Sequence, residues 1–292
     1  MNAAEQLTDS EIALSGEVQL AVRRGGTGTN LRRPFLLVHG LASNARLWDG
    51  VASELIAAGR EVAAVDLRGH GRSPDTETGH STSAAAADLA ALCGVLGWSA
   101  GRAPIVAGQS WGGNVALTLA AEHAGVAAVA CIDGGWLRLG DRFADFDECW
   151  RALAPPSFDE VRWSDLRDRV ETAHPDWPAA GIDGTLANFI ERADGGVRAR
   201  LARDHHRQIL HSLWAGDPRL LYPRVGVPVL LMPAGSSADA RRAPAVAEAL
   251  AALPIARVTW YAGADHDLHA QHPRRVAADL LALEAWADGA VP

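Results

Sequence analysis

The chain has 292 residues, 48% of them hydrophobic, and a formal net charge of −8. This length suits one large domain or a domain with an insertion, and the apolar content is ample for a core. The acidic balance argues against nucleic acid or an anionic membrane as the main partner. The first residues are polar and no apolar run approaches the roughly 20 residues that span a bilayer, so we expect neither a signal peptide nor membrane insertion.

The cysteine content predicts a reducing compartment. Cys93, Cys131 and Cys149 are odd in number and lack the spacing of a metal site. Cys93 and Cys131 lie in apolar runs, where a thiol behaves as a small hydrophobic side chain. We therefore expect reduced, buried thiols and a cytoplasmic protein.

Short apolar runs alternate with amphipathic stretches along most of the chain. This alternation predicts an α/β protein with a mostly parallel sheet covered by helices on both faces. The predicted strands are Val18–Arg23, Phe35–Val38, Glu61–Val65, Pro104–Ala107, Val126–Ile132, Val227–Met232 and Arg257–Tyr261. The predicted helices lie near Leu47–Ala58, Ser83–Leu96, Gly113–Glu122, Ala243–Leu253 and Pro273–Ala287.

The alternation breaks after Asp133. Residues 136–222 contain no convincing strand pattern, and proline and glycine pairs such as Pro155-Pro156 and Gly195-Gly196 interrupt them. This stretch also carries Trp136 and four more of the ten tryptophans. It is predicted to be a helical insertion in a scaffold formed by residues 1–135 and 223–292.

The stretch Gly108-Gln109-Ser110-Trp111-Gly112 follows an apolar run and opens into the predicted helix Gly113–Glu122. A strand, a sharp turn and a helix hold the central serine in strained backbone angles, and the flanking glycines avoid clashes there. The side chain then projects at a helix N-terminus, where free N–H groups can meet negative charge. Ser110 is therefore predicted to be a nucleophile.

A serine nucleophile needs a base and hydrogen-bond donors for the oxyanion. His266 follows the last predicted strand and is the candidate base. The candidate oxyanion donors are the backbone N–H of Trp111, directly after the nucleophile, and that of Leu41, in the loop after Phe35–Val38. His39 in that loop is expected to be structural. All of these residues follow predicted strands. Because the carboxyl ends of parallel strands lie along one edge of a sheet, the residues can come together there.

Two other motifs are weaker. His266, His269 and His272 are spaced three residues apart, but no Cys or Glu completes a metal set, so we expect no metal and assign His269 and His272 to solvent or an overlying lid. The stretch Asp66–Pro74 contains Gly-x-Gly but neither nucleotide-binding pattern. It is predicted to be a hydrogen-bonded scaffold loop, and no cofactor is expected.

Taken in order, His39-Gly40, the Asp66–Ser73 stretch, Gly108–Gly112 and Gly263-x-x-His266 resemble the α/β-hydrolase superfamily over nearly the whole chain. The resemblance implies an eight-stranded sheet and a Ser–His–acid triad. It also implies that residues 136–222 are a helical cap inserted after the sixth strand, which covers the site and shapes the substrate pocket.

The position of the candidate acid of the triad departs from the family's commonest pattern. Many members place an aspartate after the seventh strand, but here that position is Ala238, and Asp239 comes one residue late. Other members use an acid at the end of the sixth strand, where this chain has Asp133 followed by two glycines. Asp133 is preferred over Asp239. Trp136, next to this acid, and Trp111 are expected to line an apolar pocket.

The predicted reaction is hydrolysis of a carboxylic ester or lactone of a small, apolar acyl substrate through an acyl-enzyme. A C–C bond hydrolase, a thioesterase, a cofactor-free haloperoxidase and an acyl-transferring or cyclising enzyme of secondary metabolism have the same catalytic layout and remain alternatives. A further alternative, outside catalysis, is a member of the fold that binds a small ligand beneath the cap.

Overall fold

The structure is a computed structural model, which describes residues 7–14, 18–26 and 32–289. Ten strands form within these residues. They are β1 (Thr8–Ala13), β2 (Gln19–Gly25), β3 (Phe35–Val38), β4 (Val62–Val65), β5 (Ile105–Gln109), β6 (Ala128–Ile132), β7 (Phe189–Glu191), β8 (Val197–Ala199), β9 (Val229–Met232) and β10 (Ala256–Val258).

Eight of these strands form one sheet in the order β1-β2-β4-β3-β5-β6-β9-β10. The β1–β2 and β2–β4 pairs are antiparallel, and every other pair in this sheet is parallel. The predicted mostly parallel, eight-stranded sheet is therefore confirmed. Strands β3, β5, β6 and β9 are adjacent, so the loops that follow them meet at one edge.

The described residues contain ten α-helices. They are α1 (Asp49–Ala57), α2 (Thr82–Val95), α3 (Trp111–Glu122), α4 (Phe146–Leu153), α5 (Trp163–Ala173), α6 (Ala179–Leu186), α7 (Arg203–Ala215), α8 (Ala243–Ala252), α9 (Leu268–Gln271) and α10 (Pro273–Ala287). Five of them, α1, α2, α3, α8 and α10, match the helices predicted from the sequence.

Strand β3 shows how the sheet separates two layers of core. Leu36 and Val38 pack in the hydrophobic cluster that includes residues of α2, α3 and α8. Phe35 and Leu37 pack on the opposite face with residues of α1 and α10. All four side chains are fully buried, as expected for a strand covered on both faces.

Strand β1 is the sheet element that the sequence pattern missed. Thr8 and Asp9 are exposed, and no residue of the strand is fully buried. It pairs only with β2, from Thr8 opposite Arg24 to Ala13 opposite Gln19. An edge strand of this kind lacks the apolar run by which the buried strands were recognised.

The segment 136–222 lies between β6 and β9 and contains α4 to α7. It also contains the antiparallel hairpin β7–β8, so the expectation that this segment holds no strand is wrong. Each hairpin strand has three residues, too few for a periodic pattern, and the Gly195-Gly196 pair that was taken as an interruption lies in its turn. Trp177 joins the segment to the scaffold by donating a hydrogen bond of 2.9 Å from Nε1 to Asp265 Oδ2.

Cys93, Cys131 and Cys149 are free thiols, and all three are buried. Burial raises the pKa of the Cys93 thiol to about 12. Within the described ranges, none of the helices is both long and apolar enough to cross a bilayer.

Candidate active site

Ser110 lies at the turn between β5 and α3. Its φ of 52° and ψ of −120° are rarely adopted by a residue with a side chain. Its N–H donates to Ile132 O at 2.8 Å, which ties the turn to strand β6. A Cβ on Gly112 would lie 2.5 Å from His39 O, so the turn can form only with glycine at that position. Ser110 itself stays partly exposed.

The two candidate oxyanion donors lie on either side of this turn. Trp111 is the first residue of α3, so its N–H has no acceptor within the helix. The Gly40-Leu41 loop approaches closely from β3, since a Cβ on Gly40 would lie 3.0 Å from Ser110 Cβ. In the described part of the chain, no hydrogen-bond acceptor faces the N–H of Leu41 or Trp111.

His39 holds the Gly40-Leu41 loop by hydrogen bonds, which is the structural role that the sequence predicts. Its Nε2 accepts from Leu67 N at 3.0 Å and its Nδ1 lies 2.7 Å from Gly40 O. Burial lowers the pKa of His39 to about 4, so the ring is neutral. A neutral imidazole can accept a hydrogen bond at one nitrogen and donate one from the other. The following scaffold loop is fixed in a similar way, because Asp66 accepts from Ala45 N and Arg72 N.

Asp133 and His266 are brought together by the fold. His266 Nδ1 lies 2.6 Å from Asp133 Oδ2. Asp133 directly follows β6, has a φ of 41° and is 3% exposed. Gly134 lets the chain turn sharply after β6 and pass close to Ser110, since a Cβ at this position would lie 2.0 Å from Ser110 O.

Asp239, the alternative acid, makes contacts within its own loop. Its carboxylate accepts from the N–H groups of Arg241 and Arg242 at 2.8 and 3.2 Å, just ahead of α8. Among the described contacts it has none with His266. The one-residue displacement seen in the sequence thus directs this side chain to its own loop, away from the histidine.

Arg242 is a site residue that the sequence reasoning missed. Its Nε donates to Asp133 Oδ1 at 2.9 Å and its Nη2 to Asp133 Oδ2 at 3.0 Å. Its Nη1 also contacts Asp239 Oδ2 at 3.2 Å. The three-residue spacing between Asp239 and Arg242 could have indicated their mutual contact, but nothing local indicates the contact with Asp133.

The pKa values of the Asp133–His266 pair move in opposite directions. Burial raises the pKa of Asp133, but the hydrogen bonds from His266 and Arg242 outweigh burial and lower it below the usual value. Burial lowers the pKa of His266, but the hydrogen bond to Asp133 and the charges of Asp267 and Asp133 outweigh it and raise the pKa above 6.5. Asp133 is thus ionised, and the imidazolium form of His266 is stabilised.

Ser110 and His266 are near each other without being joined. Gln109, next to the serine, donates from Nε2 to His266 O at 3.3 Å. No partner for Ser110 Oγ occurs among the hydrogen bonds of the described residues, and the side chain of His266 is 48% exposed. A nucleophile–base hydrogen bond is often long before substrate binds and shortens in the complex.

A cavity of about 690 Å³ adjoins the pair, and Asp133, Trp136 and His266 contribute to its wall. Trp136 thus lies beside Asp133 on this cavity, but Ser110 is not among the described residues that line it. The side chain of Trp111 does not line this cavity, contrary to expectation. It is 1% exposed in the core and donates to Thr82 Oγ1 at 3.1 Å. A larger cavity of about 950 Å³ lies between β1–β2 and the 136–222 segment and touches none of the triad candidates.

His269 corrects a further expectation. Its side chain is fully buried rather than facing solvent or a lid, and its ring lies 4.3 Å from that of Trp48. Burial lowers the pKa of His269 to about 3, so it is neutral. Among the residues with described positions, no group of three or more His, Cys, Asp or Glu side chains is arranged to hold a metal ion.

These features define an α/β-hydrolase. The model of the alpha/beta hydrolase family matches residues 35–279, and the chain belongs to this family. The 2-(acetamidomethylene)succinate hydrolase of Mesorhizobium japonicum is 28% identical over 259 residues, which cover 88% of each chain. A pimeloyl-[acyl-carrier protein] methyl ester esterase of Neisseria meningitidis serogroup C is 30% identical over 217 residues, 69% of this chain and 74% of the relative.

The fold is also that of solved hydrolases. The crystal structure of an E-2-(acetamidomethylene)succinate hydrolase superposes with a TM-score of 0.75 at 24% identity, covering 95% of this chain and 98% of the other. The protein is thus a hydrolytic enzyme of the α/β-hydrolase family.

Proposed function

We propose that this protein is a serine hydrolase that cleaves a carboxylic ester or lactone through an acyl-enzyme. The observation that carries the proposal is the 2.6 Å contact between His266 Nδ1 and Asp133 Oδ2. In such a pair the carboxylate fixes the ring so that Nε2 is unprotonated and free to act as a base. The relative named as a methyl ester esterase also supports an ester substrate.

In the proposed reaction, His266 Nε2 takes the proton from Ser110 Oγ as the oxygen attacks the ester carbonyl. The N–H groups of Leu41 and Trp111 stabilise the oxyanion of the tetrahedral intermediate. Protonated His266 then donates its proton to the leaving alcohol, which leaves Ser110 acylated. His266 next deprotonates a water molecule, which attacks the acyl carbon. The bond to Ser110 Oγ then breaks, His266 returns the proton to that oxygen, and the acid is released.

We also propose that residues 136–222 act as a cap over this site. Two contacts support this: Trp177 Nε1 donates to Asp265, directly before His266, and Gln271 Nε2 donates to Asp176 Oδ2 at 2.6 Å. The segment is thereby linked to the loop that carries the base. The proposed chemistry is complete with side chains and backbone N–H groups and uses no metal or organic cofactor.

The experiment is turnover of p-nitrophenyl acetate together with labelling by a fluorophosphonate. We expect a burst of p-nitrophenol and labelling at Ser110, both lost in Ser110→Ala, with an unchanged melting temperature for that variant. A protein that gives neither burst nor label is not a serine hydrolase, and a small-ligand-binding role would then replace the enzyme. Substantial residual kcat in Ser110→Ala would show that another residue is the nucleophile.

A further inference from the structure

The base loop, residues 265–271, is held by a closed network of hydrogen bonds. Trp177 Nε1 donates to Asp265 Oδ2 at 2.9 Å, and Asp265 N donates to Gln271 Oε1 at 2.7 Å. Gln271 Nε2 donates in turn to Oδ2 of Asp176, the residue next to Trp177, at 2.6 Å. Trp177 and Gln271 are buried. The residue directly before the candidate base is thus held through both its backbone and its side chain.

A hydrophobic cluster joins the same two parts of the molecule. Trp177 and Ile182, from the proposed cap, pack in it together with Leu47, from the chain after β3, and Ala270 of α9. All four side chains are buried. A Cβ on Gly184 of α6 would lie 2.7 Å from Leu47 Cα, so helix and scaffold are in direct contact. Lifting α6 would therefore expose apolar surface on both sides of this boundary.

Helix α6 also contacts the loop that carries the candidate oxyanion donor Leu41. Asn44 follows Leu41 in this loop, is 2% exposed and donates from Nδ2 to Gly184 O at 2.8 Å. The same Nδ2 donates to Asn188 Oδ1, just after the helix. One short segment of the proposed cap therefore contacts both the loop of the oxyanion donor and the loop of the base.

The candidate site is open to solvent while α6 is in this position. The side chain of His266 is 48% exposed, and Ser110 is partly exposed. A substrate can therefore reach both residues while α6 stays in contact with the scaffold. A lid that had to lift would instead break the hydrogen-bond network and open the shared hydrophobic cluster in every turnover.

We propose that residues 176–188, which include α6, form a fixed brace, and that Trp177 and Gln271 are positioning residues for His266. The positioning role rests on the proposed function, in which His266 is the base. Both side chains act on His266 through Asp265, the residue before it. Since a displacement of about 1 Å in a reacting group can cost on the order of 10²-fold in rate, loosening the base loop should lower turnover.

The first test removes single contacts of the network. Trp177→Phe keeps an aromatic side chain but loses the donor to Asp265, and Gln271→Met keeps the side-chain length but loses both hydrogen bonds. Turnover of p-nitrophenyl acetate is expressed per active site, counted by the final stoichiometry of fluorophosphonate labelling. We expect kcat and kcat/KM to fall equally, about tenfold in each variant, because a misplaced base acts in the transition state and not on substrate binding.

Trp214→Phe is the matched control. Trp214 Nε1 donates to Phe143 O at 3.0 Å, so this variant also loses an indole hydrogen bond, but one that lies within the proposed cap. Among the described contacts, Trp214 has none with the base loop. Its kcat per active site should equal that of the wild type. A purely structural role of Trp177 would lower the labelling stoichiometry or the melting temperature and leave kcat per active site unchanged.

The second test locks α6 to the scaffold. A Cβ on Gly181 would lie 3.4 Å from Ala270 Cβ, close to the spacing of about 3.5–4.5 Å between the Cβ atoms of a disulfide. The Gly181→Cys/Ala270→Cys variant is oxidised, and loss of both introduced thiols is verified before the assay. Turnover by the oxidised protein should match that of the same protein after reduction with dithiothreitol. Each single cysteine variant controls for the oxidation itself.

An oxidised double variant that is inactive and regains turnover on reduction would show that α6 must lift, which overturns the fixed brace. Unchanged kcat per active site in both Trp177→Phe and Gln271→Met overturns the positioning role, even if turnover depends on Ser110. Absence of any Ser110-dependent turnover in the wild type is a different result, because it overturns the proposed function itself and the positioning of His266 with it.

Discussion

Arg242 clamps Asp133 with two hydrogen bonds, from Nε to Oδ1 at 2.9 Å and from Nη2 to Oδ2 at 3.0 Å. The same carboxylate accepts from His266 Nδ1 and from Ala234 N at 3.1 Å. Bidentate pairing holds the carboxylate in a single plane, which orients the oxygen that faces the histidine. Arg242 is therefore a positioning residue that acts on His266 through Asp133.

Replacing Arg242 tests this relationship. Arg242→Gln should lower kcat about tenfold, since hydrogen bonds to charged groups contribute about 1.5–3 kcal/mol and this one is partly exposed. The positive charge of Arg242 lowers the pKa of His266, so its loss should also move the acid limb of the kcat/KM profile to higher pH. Arg242→Lys should restore the position of that limb in part. A fall in kcat with an unmoved limb would indicate a purely structural role.

Comparison of Asp133→Asn with Asp239→Asn distinguishes the two candidate acids. Loss of the orienting carboxylate costs on the order of 10⁴ in kcat in a serine triad, and we expect a loss of that size for Asp133→Asn. Asp239→Asn removes only contacts with backbone N–H groups and Arg242, so kcat should change by less than about tenfold. The reverse ranking would assign the acid to the loop after β9.

The pH dependence of the wild type reports on His266. The base must be neutral to accept the Ser110 proton, and its pKa is raised above 6.5. Activity should therefore be retained at higher pH and be lost as pH falls through this raised value, so the acid limb of kcat/KM should have its midpoint above 6.5. Asp133→Asn should move the limb to lower pH, because the hydrogen bond that raises the His266 pKa is weakened. Measurement of kcat/KM across the acid range in both proteins checks the direction.

Gly134 tests the close approach of β6 to the nucleophile turn. In Gly134→Ala the new methyl group would lie 2.0 Å from Ser110 O, so the backbone must shift. We expect the free energy of unfolding to fall by about 1–3 kcal/mol, as for overpacked cores, and activity to fall with it. Gly226→Ala is the control, since a Cβ there meets nothing within 4 Å. Equal melting temperatures for the two variants would contradict this interpretation.

The sequence prediction succeeded where the signal is local. The buried strands have apolar runs, and the Ser110 turn has glycines at the positions where a side chain would clash with backbone atoms. It failed for β1, whose outward residues are polar, and for the hairpin β7–β8, whose strands are too short to show a period. His269 was assigned to the surface because a polar side chain with no local partner gives no sign of being buried against Trp48.

Taken alone, the sequence determined the fold class, the order of the buried strands and of the five helices that cover them, and the turn that presents Ser110, because backbone sterics and side-chain periodicity act over a few residues. It left Asp133 and Asp239 as competing acids. The tertiary structure brings His266 Nδ1 to within 2.6 Å of Asp133 Oδ2, and no contact joins His266 to Asp239 among the described residues. The hydrogen bonds from Arg242 to Asp133 also depend on tertiary structure, since they join residues 109 positions apart. The packing of β6, β9 and the loops that follow them places the Asp133 carboxylate in contact with both His266 and Arg242.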